Sequence, residues 1–144
     1  MDGIEIKVVG IGTMGNNVLN KMMKKEITEV EFVGIDTNQE NLDKLNVELK
    51  MLASEDLSEK VQGALKNTDL VFILTEMSEK KNNEIACVVS EVAKTMGILT
   101  VVLVATSINS NGGTEEIKKL EEISDTVIVL PLKKLVEADS SATF

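Results

Sequence analysis

Two patterns of apolar residues alternate along this chain: short continuous runs rich in Val and Ile, and longer stretches in which apolar positions recur at helical spacing. Ile4 to Ile11 reads as a buried strand that runs into Gly10, Gly12 and Gly15, after which Val18, Leu19, Met22 and Met23 mark one helical face. A second strand, Val30 to Ile35, is closed by Asp36-Thr37-Asn38. A short helix is predicted over Asn38 to Leu45, and the alternation of Val47, Leu49 and Met51 predicts a short edge strand. Ser54, followed by Glu55 and Asp56, stands where a helix N-cap belongs, with that helix ending near Asn67. Leu70 to Leu74 is the central strand. After the polar stretch Ser78 to Glu84, a helix carries Ile85, Val88, Val89, Val92, Ala93 and Met96 and stops at Gly97. Leu99 to Ala105 is a strand, Thr106 to Gly113 a loop, Thr114 to Ile123 a helix, and Thr126 to Leu130 a strand ended by Pro131. From Leu132 to Phe144 the pattern begins as a helix and then turns polar.

Strands alternating with helices, several strands being apolar throughout, predict one α/β domain of Rossmann-like, doubly wound design, its mostly parallel sheet covered by helices on both faces. The domain is assigned to residues 1–139, with residues 140–144 a polar tail. Ligands of such folds sit beyond the carboxyl ends of the strands, where the glycine turn, Asp36, Thr75 to Asn83 and Thr106 to Gly113 converge.

Composition narrows the chemistry. The chain has 144 residues, 43% hydrophobic and 27% charged, and no apolar run approaches the roughly 18 residues of a spanning helix. The start, MDGIEIKVVG, shows no export signal, so a soluble cytoplasmic protein is expected. A single cysteine, Cys87, and no histidine argue against an internal disulfide and a transition-metal site; Cys87, beside the apolar helical stripe, reads as a packed thiol. A net charge of −9 argues against nucleic-acid and acidic-membrane partners, and the lack of Trp and Tyr removes the platforms on which single-stranded bases stack.

The candidate chemistry lies in Val9 to Asn17, VGIGTMGNN, a G-x-G-x-x-G run that follows a strand and opens a helix. Bare glycines let backbone N–H groups approach a phosphate there. Asp36 follows at the end of the second strand, at the spacing of a ribose-binding acid. The candidate binding residues are therefore Gly10, Gly12, Thr13, Met14, Gly15, Asn16, Asn17, Asp36 and Thr37. The same glycines also serve if they only pack the helix on the sheet. Asp36 with Asp69 reads better as two structural acids than as a catalytic pair.

IKVVGIGTMGNNVLNKM (Ile6 to Met22), VEFVGIDTNQENLDKL (Val30 to Leu45), TDLVFILTEM (Thr68 to Met77), VVSEVAKTMGILTVVLVAT (Val88 to Thr106) and SDTVIVLPLKKL (Ser124 to Leu135) resemble, in order, the strands, loops and helices of the FtsZ/tubulin family's GTPase domain. The resemblance implies a guanine-nucleotide site, with the base near Asn16 and Asn17, and association into homo-oligomers or with family partners. The departures imply loss. The family's GGGTGTG signature is here SEKKNNE, Ser78 to Glu84, so side chains would fill the phosphate space unless Asn82 or Asn83 adopts positive φ. Lys80 and Lys81 read as a solvated helix start, and Leu132-Lys133 stands for the family's Asn-Asp pair. Leu52 to Ser58 replaces a glycine-rich loop, the ribose-approaching residues after Thr106 are missing, and the sequence ends before the family's central helix and activating acidic loop. The expectation is a degenerate domain with weak GTP or GDP binding and no turnover, acting by association in cell division or a cytoskeletal system. An NAD(P)- or adenine-nucleotide-binding module is the alternative, and an intact GTPase with rebuilt loops ranks last.

Overall fold

The computed structural model describes residues 4–25, 29–76, 80–106 and 114–131. Six strands, β1 (Ile6–Ile11), β2 (Val30–Asp36), β3 (Leu49–Leu52), β4 (Leu70–Glu76), β5 (Leu99–Thr106) and β6 (Thr126–Pro131), form one sheet. Five helices connect them: α1 (Gly12–Lys24), α2 (Gln39–Asp43), α3 (Leu57–Ala64), α4 (Lys80–Thr95) and α5 (Thr114–Ile123). The strand order is β3-β2-β1-β4-β5-β6 and every pair is parallel, as the alternation of strand and helix predicts. The order reverses between β1 and β4, so the crevice expected of doubly wound sheets opens above those two strands.

The period of two along each strand divides the core. Val8, Phe32 and Leu74 meet Leu19 of α1, Leu42 of α2 and the following Leu45 and Val47 on one face. Val9, Ile11, Val33, Ile35, Val71, Ile73, Val102 and Val104 meet α3, α4 and α5 on the other, through Val61, Ile85, Val89, Val92 and Leu120. With few aromatic side chains, the closeness of helix to sheet comes from glycine instead. A Cβ on Gly15 would lie 2.5 Å from the backbone oxygen of Leu74, and one on Gly10 would lie 2.7 Å from Leu19 and 2.8 Å from the oxygen of Gly15. α1 thus sits backbone against backbone on β1 and β4.

Several boundaries differ from the sequence reading. Asn38 caps α2, its side-chain oxygen accepting from the N–H groups of Glu40 and Asn41, so the helix starts one residue later than expected. Ser54 is not a cap: α3 begins at Leu57 after an uncapped Asp56, and the Ser54 hydroxyl donates to the Asp56 carboxylate instead. That bond first, and Lys60 one turn along, hold the exposed Asp56 carboxyl below the usual range. A stabilising group of this kind acts above the ordinary carboxyl pKa and fades as pH falls through the lowered one. α4 begins at Lys80, so most of the polar stretch is its first turn; Lys80 and Lys81 are exposed there. Among the described residues, Glu29 and Asn67 alone of the non-glycines have positive φ, so Asn82 and Asn83 do not take the left-handed conformation. They are helical. The tail after Pro131 and the loop at residues 107–113 lie outside the described residues.

Gly63, inside α3, has the opposite surroundings from Gly15: a Cβ there would meet nothing within 4 Å. Gly63→Ala is expected to stabilise the fold by about 1 kcal/mol, the difference in helix propensity between the two residues. Denaturant unfolding measures this directly, and a loss of stability would show that α3 is not helical at that point.

Candidate functional site

The turn predicted from the glycine pattern sits at the carboxyl end of β1, beside the reversal in strand order. Gly10 is the next-to-last residue of β1, before the fully buried Ile11, and Gly12 opens α1 with φ +74°, a left-handed conformation that favours glycine. The three glycines therefore divide by cause: Gly10 and Gly15 are held by packing, Gly12 by the turn. No side chain caps α1, and its first turn carries no acidic residue. Its first N–H groups thus have no carboxylate competing for them, and the helix dipole favours an anion there.

Among the other predicted residues, Thr13 and Asn17 are exposed, Met14 is half-buried and Asn16 is buried. The Asn16 amide donates to the backbone oxygen of Ile35 at 3.1 Å, tying α1 to β2. The Asn16 side-chain oxygen has no hydrogen-bond partner among the described residues. Asp36 is 3% exposed, and both its carboxylate oxygens are engaged: Oδ1 accepts from the Asn38 N–H at 3.0 Å and Oδ2 from the Asn41 amide at 3.3 Å. Thr37 is exposed and faces an open groove of about 430 Å³ between the β3–α3 connection and α4, shared with Ser54, Ser58, Lys81 and Glu84. None of Gly10 to Asn17 lines that groove, so the structure does not gather all nine predicted residues in one concavity.

Asn82 is the residue that sequence reading undervalued. A Cβ built on Gly12 would lie 2.7–2.9 Å from the Asn82 carboxamide, which therefore occupies the space directly beside the turn. Asn83 is buried next to it and its side-chain oxygen has no partner among the described residues; the same holds for the fully buried hydroxyl of Thr75 at the end of β4. A buried polar atom left unpaired costs free energy, about 1–3 kcal/mol. This end of the sheet thus holds polar atoms able to accept or donate toward a ligand or water. The signal for Asn82 was present in the sequence, because counting back two helical turns from Val89 lands on Asn82.

Asp69, paired with Asp36 as an unlikely catalytic couple in the sequence, accepts from the Glu5 N–H at 2.8 Å at the other end of the strands. Cys87 is buried in α4 among the core residues. Among the described residues no cluster of acids and cysteine is arranged to hold a metal ion, and no helix is long and apolar enough to cross a membrane.

No protein-family model matches the chain. It is 30% identical over 158 residues to the cell division protein FtsZ of Buchnera aphidicola subsp. Acyrthosiphon pisum, a match covering 92% of this chain and 41% of that protein. The FtsZ of Buchnera aphidicola subsp. Baizongia pistaciae is 28% identical with the same coverage. Of solved structures, an FtsZ mutant from M. jannaschii superposes with a TM-score of 0.81 at 26% identity, covering 92% of this chain and 48% of that one. An empty FtsZ dimer from the same organism gives 0.83 at 24% identity, covering 99% and 49%. CetZ from Methanosaeta thermophila shares the fold, with a TM-score of 0.72 at 16% identity, covering 94% and 49%. The chain spans about two fifths of the length of the two Buchnera relatives and about half that of the solved chains.

Proposed function

The chain belongs to the FtsZ/tubulin family, corresponding to its GTPase domain, and from that premise we propose that it is a non-hydrolysing member. In this reading it binds guanine nucleotide weakly and works by association, with its own copies or with another family member, in cell division or a cytoskeletal system. The observation that carries the reading is the Asn82 carboxamide packed beside Gly12, in a first helical turn that stands in place of a glycine loop. Phosphate would have to displace that carboxamide before it could reach the backbone N–H groups at the start of α4. Each charge-assisted bond lost in this way weakens binding by about 1.5–3 kcal/mol. Support for residual binding comes from α1, whose uncapped N-terminus and left-handed Gly12 turn remain suited to a phosphate once Asn82 moves aside.

The dinucleotide reading has one observation in its favour, Asp36 at the end of β2 in a sheet of the right order. Against it, ribose hydroxyls would compete with Asn38 and Asn41 for a carboxylate that is already buried and bonded. Two measurements test the ranking. Incubation with millimolar GTP and Mg²⁺ is expected to release no phosphate above the protein-free rate; release proportional to protein concentration through successive purification steps would overturn the non-hydrolysing assignment. In thermal titrations GDP is expected to raise the melting temperature only as it reaches millimolar concentration, because a ligand at about ten times its Kd adds roughly 1.4 kcal/mol. NAD is expected to have no effect, and stabilisation by NAD that Asp36→Ala removes would install the dinucleotide reading.

A further inference from the structure

Helices cover the two faces of the sheet unequally. α1 lies over β2, β1 and β4 and α2 over β2 and β3, whereas α4 and α5, which pack on β5 and β6, sit on the opposite face with α3. Among the described residues no helix is seated over β5 and β6 on the side of α1. The period of two along β5 shows the result: Val102 and Val104 are fully buried, while Val101 and Leu103, which alternate with them, are half-buried.

The register sets Phe72 beside Val101 and Leu103 beside Ile128, with Leu99 further along β5 and Leu130 further along β6 on the same side. Six apolar side chains from three strands thus form one floor, in which Leu99 is 52% exposed and Ile128 41%. Neither β5 nor β6 contains a charged residue. Strands of that composition belong under cover on both faces, and β6 is moreover an edge without a charge to guard it. α1 borders the floor as a step about 10 Å high, with Val18 partly buried at the same margin as Phe72 and Leu103.

We infer that this floor is where two copies of the chain pack, face to face about a two-fold axis running along the strands. The inference rests on the association proposed above and names its surface. Packed sheets lie about 10 Å apart, which is the height of the α1 step, so β5 and β6 of one copy fit beside α1 of the other and each α1 covers the other's edge strand. The floor measures roughly 14 by 17 Å from strand spacing and rise, and the two α1 walls, each about 20 Å long, bring the contact near the roughly 800 Å² per copy of a stable dimer. Residues 132–144 are a poorer match for it, since Leu132, Leu135 and Val136 are followed at once by Glu137 and a polar run, an apolar stripe only about 6 Å long as a helix. The floor is uncharged, so a two-fold axis brings no like charges together upon it.

Sedimentation equilibrium of the whole chain at micromolar concentrations tests this. Twice the chain mass is expected, with association tightening as salt screens the repulsion between two copies of net charge −9. Ile128→Lys is expected to weaken association about a hundredfold, because the axis buries that charge twice. Val129→Lys, at a 44% exposed position on the opposite face of the same strand, is expected to leave it nearly unchanged. Equal dissociation by both lysines would overturn the inference in favour of pairing between β6 edges. A monomeric parent overturns it as well, and one that Ile128→Lys destabilises would give the floor to residues 132–144. If Ile128→Lys fails to fold, Leu99→Lys on the same floor decides. Failure here leaves the nucleotide titrations, and association with another family member, to be judged by their own measurements.

Discussion

Gly15→Ala is expected to lower the stability of the fold by about 3 kcal/mol or more, the upper end of what an added methyl costs in a close-packed interior. The reason is what the methyl would meet. Its Cβ would lie 2.5 Å from the carbonyl oxygen of Leu74, and that oxygen belongs to the central strand of a parallel sheet, paired on both sides. A side chain can rotate away; a strand inside a ladder moves only with its neighbours, so the helix must lift instead. For a chain of this length the loss corresponds to roughly a 10 °C fall in melting temperature. Gly12→Ala is the control. The atoms nearest its methyl would be those of the Asn82 carboxamide, a side chain that can shift, and the left-handed φ adds a cost of about 1–2 kcal/mol. Melting curves for both variants check the order, and an unchanged curve for Gly15→Ala would mean that α1 does not approach β4 as closely as described.

The contrast between those two glycines shows what the sequence could and could not say. A G-x-G-x-x-G run was legible as strand, turn and helix, and Asp36 was legible at the end of the next strand, because both follow from local pattern. The pattern cannot divide the glycines between packing and ligand, since that depends on Leu19 and Leu74 arriving from elsewhere. The parallel sheet, the alternation of its strands with helices and the two-sided core were readable from the alternating runs, because parallel strands joined by helices admit few arrangements, whereas the strand order came only with the structure. What was not readable is how polar groups are spent. Ser54 has the right chemistry for a cap and gives its hydroxyl to Asp56; Asp36 has the right position for ribose and gives both oxygens to its own turn. In each case a short-range hydrogen bond within a few residues took the group first, and such competition is decided by backbone geometry that composition does not encode.

Asn82→Gly is expected to tighten GDP binding by about tenfold, equivalent to roughly 1.4 kcal/mol. In the parent chain a phosphate arriving at Gly12 must displace a carboxamide that is 6% exposed and packed against the turn, and displacing a buried polar group into a less satisfied position costs about that much. Removing the side chain vacates the space and leaves the N–H groups at the start of α4 in place, together with those of the uncapped α1. Glycine near the start of α4 lowers helix propensity by roughly 0.3 kcal/mol relative to asparagine, so the variant is expected to melt at a slightly lower temperature while binding more tightly. That opposition separates the effect from general loosening, which would weaken both. Isothermal titration of GDP into parent, Asn82→Gly and Asn82→Ala measures it, with alanine expected to fall near glycine because both lack the carboxamide. If both variants bind more weakly than the parent, then the Asn82 amide donates to the phosphate instead of blocking it. The site would then be a rebuilt nucleotide pocket, and the proposal of a degenerate one would fail.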